Sequence, residues 1–178
     1  MLVNARDIAL SALVAAIYAV LVVALPMVSF LMWQVRLADA LLMLSTVLGW
    51  PAVLGVTMGC FIGNLLAAPW GSFALSVFDA VFGSAANFTA SYLAYRLAFN
   101  KGLRCKVEAA LLEIAVVSLI VGSYLRYLLL WAFNVDLPLW LSIAGVLPGS
   151  FVAIGVVGTM VALSVERARV HTGFQRRG

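Results

Sequence analysis

Charge is scarce in this chain. Only 10% of its 178 residues are Asp, Glu, Lys or Arg, against 65% hydrophobic. A soluble domain carries about 25% charged residues, so a water-soluble globule is excluded. The chain also has one histidine and two cysteines. His171 alone, in a polar tail, supplies no metal-ligand cluster and no partner for a nucleophile. No metal and no cofactor are expected. Cys60 lies in an apolar run and Cys105 in a basic loop, so no disulfide is expected. No Gly-x-x-x-x-Gly-Lys-Ser/Thr segment is present, so the chain has no phosphate loop with which to hydrolyse ATP. No stretch is polar enough and long enough to fold as a separate soluble unit. An all-α integral membrane protein of one domain, spanning residues 1–178, is expected.

Six apolar runs are legible, each weighed against the roughly 20 residues that a span needs. They cover about residues 8–26, 38–48, 52–67, 73–99, 107–133 and 139–165. The first ends at Pro26 without an Ala-x-Ala-like cleavage site, so it is expected to stay as a span. The second is short and opens on Asp39; Gly49-Trp50-Pro51 separates it from the third. Six crossings put both termini on one side. Arg6, Arg96, Lys101, Arg104, Lys106, Arg167, Arg169, Arg176 and Arg177 then share that side, nine of the eleven basic residues. The positive-inside rule makes it cytoplasmic, in a cell membrane. Topology accounts for the basic tail, and no nucleic-acid partner is inferred.

Against this background the intramembrane polar residues stand out, because an ionisable group at bilayer depth is costly and usually faces a cavity, a partner or a substrate. Asp39, Asp79 and Asp136 lie in or beside apolar runs, with Arg36 and Arg126 close by. The outer connections are Val28–Leu37, Ala67–Ser72 and Asn134–Pro138, so Asp39, Asn64, Asp79, Arg126 and Asp136 all fall in the outer half. Trp33, Trp70, Trp131 and Trp140 line the same edge, either as an interfacial belt or stacked on a ring-shaped ligand. Asn87 follows Asp79 by eight residues, on one helical face and about 12 Å further along. Plain structural roles exist for several of these. Arg36 and Asp39 are three apart and can pair at a helix start. Asp79 or Asn64 can cap a helix, and Asn87 can bridge two helices. Arg126 can pair Asp39 or Asp136, or meet an anionic ligand.

Small residues recur four apart: Ala12 and Ala16, Ala15 and Ala19, then Gly55, Gly59 and Gly63, then Gly145 and Gly149. Such faces let helices touch backbone to backbone. The glycines read as internal packing, while an alanine face on the first run can equally dock another membrane protein.

Three segments carry a family resemblance. They are Gln34-Val35-Arg36-Leu37-Ala38-Asp39-Ala40-Leu41, Gly59-Cys60-Phe61-Ile62-Gly63-Asn64 and Phe78-Asp79-Ala80-Val81-Phe82-Gly83. In order and spacing they resemble the queuosine-precursor transporters, which resemble substrate-binding S components of energy-coupling factor (ECF) transporters. The opening Ala9-Leu10-Ser11-Ala12-Leu13-Val14-Ala15-Ala16-Ile17-Tyr18 is also similar, and the resemblance covers about residues 5–95. Asp39 stands where that family commonly has Glu.

The resemblance implies six helices, an outward-facing pocket for a nucleobase-like small molecule, and no enzyme activity. It also implies partners in the bilayer and cytosol: a membrane coupling (T) subunit docked on Ala12 and Ala16, and two cytosolic ATPases. The binding residues it implies are Asp79, Asn64, Asp39 and Arg36, with Asn87 added from its helical face and Arg126 from its depth. A 7-deazaguanine offers adjacent N–H donors for a carboxylate, a carbonyl for an amide, and a face for stacking. An S component for another vitamin or a small anion is the alternative, favoured by Arg126.

The topology is open to a direct test. With both termini cytoplasmic, a Gly173→Cys variant stays unlabelled when intact cells meet an impermeant thiol reagent and becomes labelled after lysis. Labelling from outside would reverse the orientation.

Overall fold

The computed structural model describes residues 4–26 and 35–171. Trp33, Gln34, Arg176 and Arg177 lie outside the described residues. Within them the structure is helical, with no strand. The first helix, α1 (Ala5–Ala24), starts after Asn4, whose backbone is extended, and carries Asp7 in its first turn, where the helix dipole favours negative charge. Its 20 residues extend about 30 Å, the thickness of the hydrocarbon core.

The second element, α2, is unlike a lipid-facing span. Leu37–Leu44 is a 3-10 helix that passes into a single α-helical turn, Ser45–Leu48. Every residue from Ala38 to Val47 is buried. A helix that is apolar all round belongs inside a bundle, and α2 is packed by the other helices. The 3-10 form also explains how so short a run reaches so far. At about 2.0 Å per residue it covers roughly 4 Å more over its length than an α-helix would. Gly49 ends α2 at φ +72°, and a Cβ there would sit 2.9 Å from the Phe99 ring. Both facts require glycine.

The remaining helices are α3 (Trp50–Ala67), α4 (Phe73–Ala98), α5 (Leu103–Phe133) and α6, which begins at Leu139. In α6 an α-helical part, Leu139–Ser150, contains Pro148 and is followed by a π-helical stretch, Phe151–Gly158, before α-helix resumes at Thr159–His171. Proline removes one backbone donor from the ladder, and the widened turns follow it directly. The π stretch packs against the 3-10 stretch of α2. At Gly158 a Cβ would lie 2.9 Å from the Ala40 carbonyl oxygen, so the two irregular segments meet backbone to backbone.

Six helical elements thus stand in the order of the six apolar runs. Four segments are long and apolar enough to cross a membrane: Ala5–Ala24, Trp50–Ala67, Phe73–Ala98 and Leu139–Arg169. Leu37–Leu48 is apolar but shorter. The 31-residue α5 is not among the four; Glu113 and Arg126 lie within its length.

Neighbouring helices pack in chain order from α1 to α6, with α3 on α1 and α4, and α5 on α4 and α6. The α1–α3 contact runs along the glycine stripe. Cβ atoms on Gly55, Gly59 and Gly63 would lie 2.7, 2.6 and 2.9 Å from the Cβ atoms of Val14, Tyr18 and Val22. The stripe is therefore internal. Ala12 and Ala16, on the other side of α1, are exposed.

One end of the bundle is basic and tightly tied. Lys106 Nζ meets Glu166 Oε1 at 2.5 Å, linking α5 to α6. Arg169 donates to the Val47 carbonyl and the Asn100 amide to the Thr46 carbonyl, which holds the last turn of α2. Trp50 packs among Phe88, Tyr92 and Tyr95 at the same end.

The glycine stripe predicts a sharp contrast. Gly59→Ala forces a methyl group against Tyr18 Cβ and the Ala15 carbonyl oxygen, at 2.6 and 2.7 Å. Overpacking of this kind costs about 1–3 kcal/mol, and thermal unfolding in detergent reads it as a lowered midpoint. Gly102→Ala, with nothing within 4 Å of the new methyl, leaves the midpoint in place.

Candidate functional site

The end of the bundle opposite the basic one holds a network built around a single buried cation. Arg36 caps the start of α2 and is 7% exposed. Its Nη2 donates to Asn64 Oδ1, in the last turn of α3, and lies 3.8 Å from Cys60 Sγ. Its Nε is 3.9 Å from Asp39 Oδ1, and its guanidinium sits 5.8 Å from the centre of the Tyr18 ring. The three-residue spacing at a helix start brings Arg36 and Asp39 together.

Each carboxylate is then met by neutral donors from other helices. Asp39 accepts from the Tyr18 hydroxyl of α1, and that hydroxyl accepts from Asn87 Nδ2 of α4 at 2.8 Å. Asp79 lies inside α4, six residues past its first residue, so it does not cap the helix. Its Oδ2 accepts from Trp70 Nε1 at 2.9 Å and its Oδ1 from the Tyr124 hydroxyl of α5 at 2.8 Å. Its backbone carbonyl accepts from Asn64 Nδ2 at 3.2 Å. Asn64 therefore joins the halves, accepting from Arg36 and donating to the backbone of Asp79. Buried polar groups need such partners, since each one left unmade costs about 1–3 kcal/mol.

A narrow cleft opens beside this network, between α2, α4, α5 and α6. Arg36, Asp39, Asn87 and Ser150 give it polar groups, and Val117, Val121 and Val146 give it an apolar wall. Gly83 lies between; a Cβ there would meet Asn64 Nδ2 at 2.8 Å and the Tyr124 hydroxyl at 3.1 Å. The free volume is ≈ 10 Å³, room for about one water molecule. A larger ligand therefore requires the valine wall and α2 to part. A second hollow of ≈ 540 Å³ lies between α4 and α5, walled by Phe78, Phe82, Leu119, Ile120, Ser123, Tyr124 and Tyr127. It is open and nearly all apolar, which suits hydrocarbon better than a polar solute.

Of the six residues singled out in the sequence, Arg36, Asp39 and Asn87 line the cleft. Asn64 and Asp79 stand behind it, joined through Arg36. Both Asp79 oxygens already hold protein donors, so its place is that of a scaffold carboxylate rather than a cleft-lining group. Arg126 stands apart: its Nη2 is 3.2 Å from Asp136 Oδ1 and its guanidinium 5.8 Å from the Tyr127 ring centre. Of the partners open to it, Asp136 is the one it meets. Ala12 and Ala16 are far from the cleft in role, on the exposed side of α1. Trp131 and Trp140 are exposed as a belt residue would be, but Trp70 is buried and serves Asp79.

Sequence reasoning missed Tyr18, Trp70, Tyr124 and Cys60 as members of the network. For the two tyrosines and the tryptophan a signal existed. A phenol deep in an apolar helix, or a buried indole in a short connection such as that of Trp70, needs a partner for its polar end.

A family model described as QueT transporter matches residues 8–167. No curated protein and no solved structure matches the chain.

The scaffold role of Asp79 is testable. Trp70→Phe and Tyr124→Phe each strip one donor from its carboxylate, and each lowers stability by about 1–3 kcal/mol, read as a lower unfolding midpoint. Trp131→Phe, at a residue 55% exposed, leaves the midpoint unchanged.

Proposed function

The chain belongs to the QueT transporter family, and from that premise we propose that it is the substrate-binding membrane subunit of an ECF-type importer for a queuosine precursor. Membership makes it a multi-pass membrane transport protein for a small molecule, and a transport rather than a catalytic chain. The finer reading rests on the cleft. One observation carries it: a carboxylate, a guanidinium and an amide line the same cleft as three valines.

That division suits a flat, polar-edged ring. A 7-deazaguanine can lie along Val117, Val121 and Val146 while its edge turns to α2 and α4. Its adjacent ring N–H and amine donors match the Asp39 carboxylate, and its carbonyl matches Arg36 or the Asn87 amide. Charge favours one member of the class. One guanidinium, Arg36, serves a network with two carboxylates, Asp39 and Asp79, so the formal sum is negative. An aminomethyl side arm brings the missing positive charge; a nitrile does not. Arg126, the residue that favours a small anion, faces Asp136 instead.

In this reading the six helices all cross the membrane, both termini are cytoplasmic and the cleft faces outward. Transport is driven by two ATPases through a coupling subunit. The exposed Ala12 and Ala16 give that subunit a flat helix face to pack on.

Calorimetric titration of the purified chain with 7-aminomethyl- and 7-cyano-7-deazaguanine tests the ligand. The aminomethyl form binds roughly tenfold to a hundredfold more tightly, the worth of a charged hydrogen bond. Asp39→Asn lowers affinity by a similar factor. Binding of neither compound, or binding indifferent to Asp39, would overturn the substrate.

Ala12→Leu with Ala16→Leu tests the partner. Copurification with the coupling subunit and ATPases is lost, while the solitary chain binds ligand as before. Equal loss of ligand binding would make that face part of the fold instead.

A further inference from the structure

Glu113 is a fully buried ionisable residue that nothing above employs. It lies in α5, is 0% exposed, and neither carboxyl oxygen makes a well-formed hydrogen bond, the Ser45 hydroxyl being the near polar group. Beside it is Ser45, at the point where α2 changes from 3-10 to α-helix. The Ser45 hydroxyl is likewise wholly buried, with the Glu113 carboxyl as its near polar neighbour and no well-formed hydrogen bond. Val117, one turn further along the same face of α5, lines the cleft. Glu113 thus sits next to the cleft, against the helix that carries Arg36 and Asp39.

Among the described residues no cation is paired with it. The charged group that acts on it electrostatically is Asp39, of its own sign. Among the described residues of helices packed on α5, Arg36 pairs with Asp39 and Asn64, and Asp79 holds Trp70 and Tyr124. Lys106 pairs with Glu166, and Arg169 holds the Val47 carbonyl. A bare carboxylate in a dry bundle is too costly to persist. A single positive charge has to meet it, and a second oxygen, from Ser45, stands ready beside it.

We propose that Glu113 and Ser45 form a site for one small cation, a proton or a sodium ion, whose occupancy is linked to ligand binding in the adjacent cleft. The two share one chemistry, a unit positive charge on a carboxyl; sodium in addition takes oxygen ligands such as a hydroxyl. The link runs through α2. Ser45 lies six residues beyond Asp39 on that helix, about 12 Å at the 3-10 rise. A ligand that parts α2 from α5 therefore changes the surroundings of Glu113 as well.

The test uses the purified full chain in detergent, without its partners. Its thermal unfolding midpoint is followed between about pH 5 and pH 8, and with sodium chloride exchanged for choline chloride at constant ionic strength. The wild-type midpoint shifts with one of the two cations. Glu113→Gln, which keeps the shape and removes the charge, responds to neither; Glu113→Met repeats the comparison if the glutamine variant fails to fold. Ser45→Ala separates the sources, abolishing a sodium response but leaving a proton response. Where a deazaguanine binds, wild-type affinity changes by up to about tenfold per tenfold change in that cation, and the Glu113→Gln affinity does not. A wild-type midpoint indifferent to both cations, or a Glu113→Gln response equal to wild type, would overturn the site. The midpoint does not depend on ligand identity, so it fails separately from the substrate reading.

Discussion

Burying one guanidinium inside an apolar bundle organises this structure. Arg36 is out of water, and an unpaired charge there would be prohibitively costly. Its partners come from three other places: Asp39 one turn along α2, Asn64 at the end of α3, and the Tyr18 ring on α1. Satisfying those partners draws in more helices, since Asp39 needs Tyr18 and Tyr18 is met by Asn87 of α4. Asn64 reaches the backbone of Asp79, whose side chain recruits Trp70 and Tyr124. Five helices are thus committed to one polar network, which the apolar surroundings strengthen.

Close backbone approach makes the network possible. The stripe of Gly55, Gly59 and Gly63 brings α3 against α1, which carries Cys60 and Asn64 into reach of Arg36 and Tyr18. Gly83 does the same for α4, since any side chain there would collide with Asn64 and Tyr124. Where helices cannot simply approach, they change pitch. The 3-10 stretch of α2 and the π stretch of α6 lie against each other beside the cleft, one overwound and one underwound. Such departures from α geometry often mark functional segments. Here they bring Asp39 and Ser150 to the same narrow space.

For a transport protein that space has a consistent logic. Its polar groups Arg36, Asp39 and Asn87 are each fixed by a neighbour, and in the proposed reading a ligand would find them already oriented. Three valines complete the lining. The basic end is tied by Lys106–Glu166 and by Arg169 on the last turn of α2.

The sequence by itself determined the class. Scarce charge, six apolar runs and the placement of basic residues specify a helical membrane protein, because a bilayer admits no unsatisfied backbone. It also marked Arg36, Asp39, Asn64, Asp79, Asn87 and Arg126 alike, since a polar residue in an apolar run has few harmless places to go. Gly49 and the residues 68–72 mark breaks that the structure also has, but α5 begins at Leu103, inside the segment read as a basic loop with Cys105 in it. Tertiary structure alone decided which carboxylate faces the cleft. Asp39 and Asp79 look equivalent along the chain; Trp70 and Tyr124, nine and 45 residues away, occupy one of them and leave the other at the cavity wall. It alone decided that Arg126 meets Asp136 and that, among the described residues, no cation is paired with Glu113. Sequence spacing orders residues along one helix, but partners across helices depend on rotation and depth, which only the packed bundle sets.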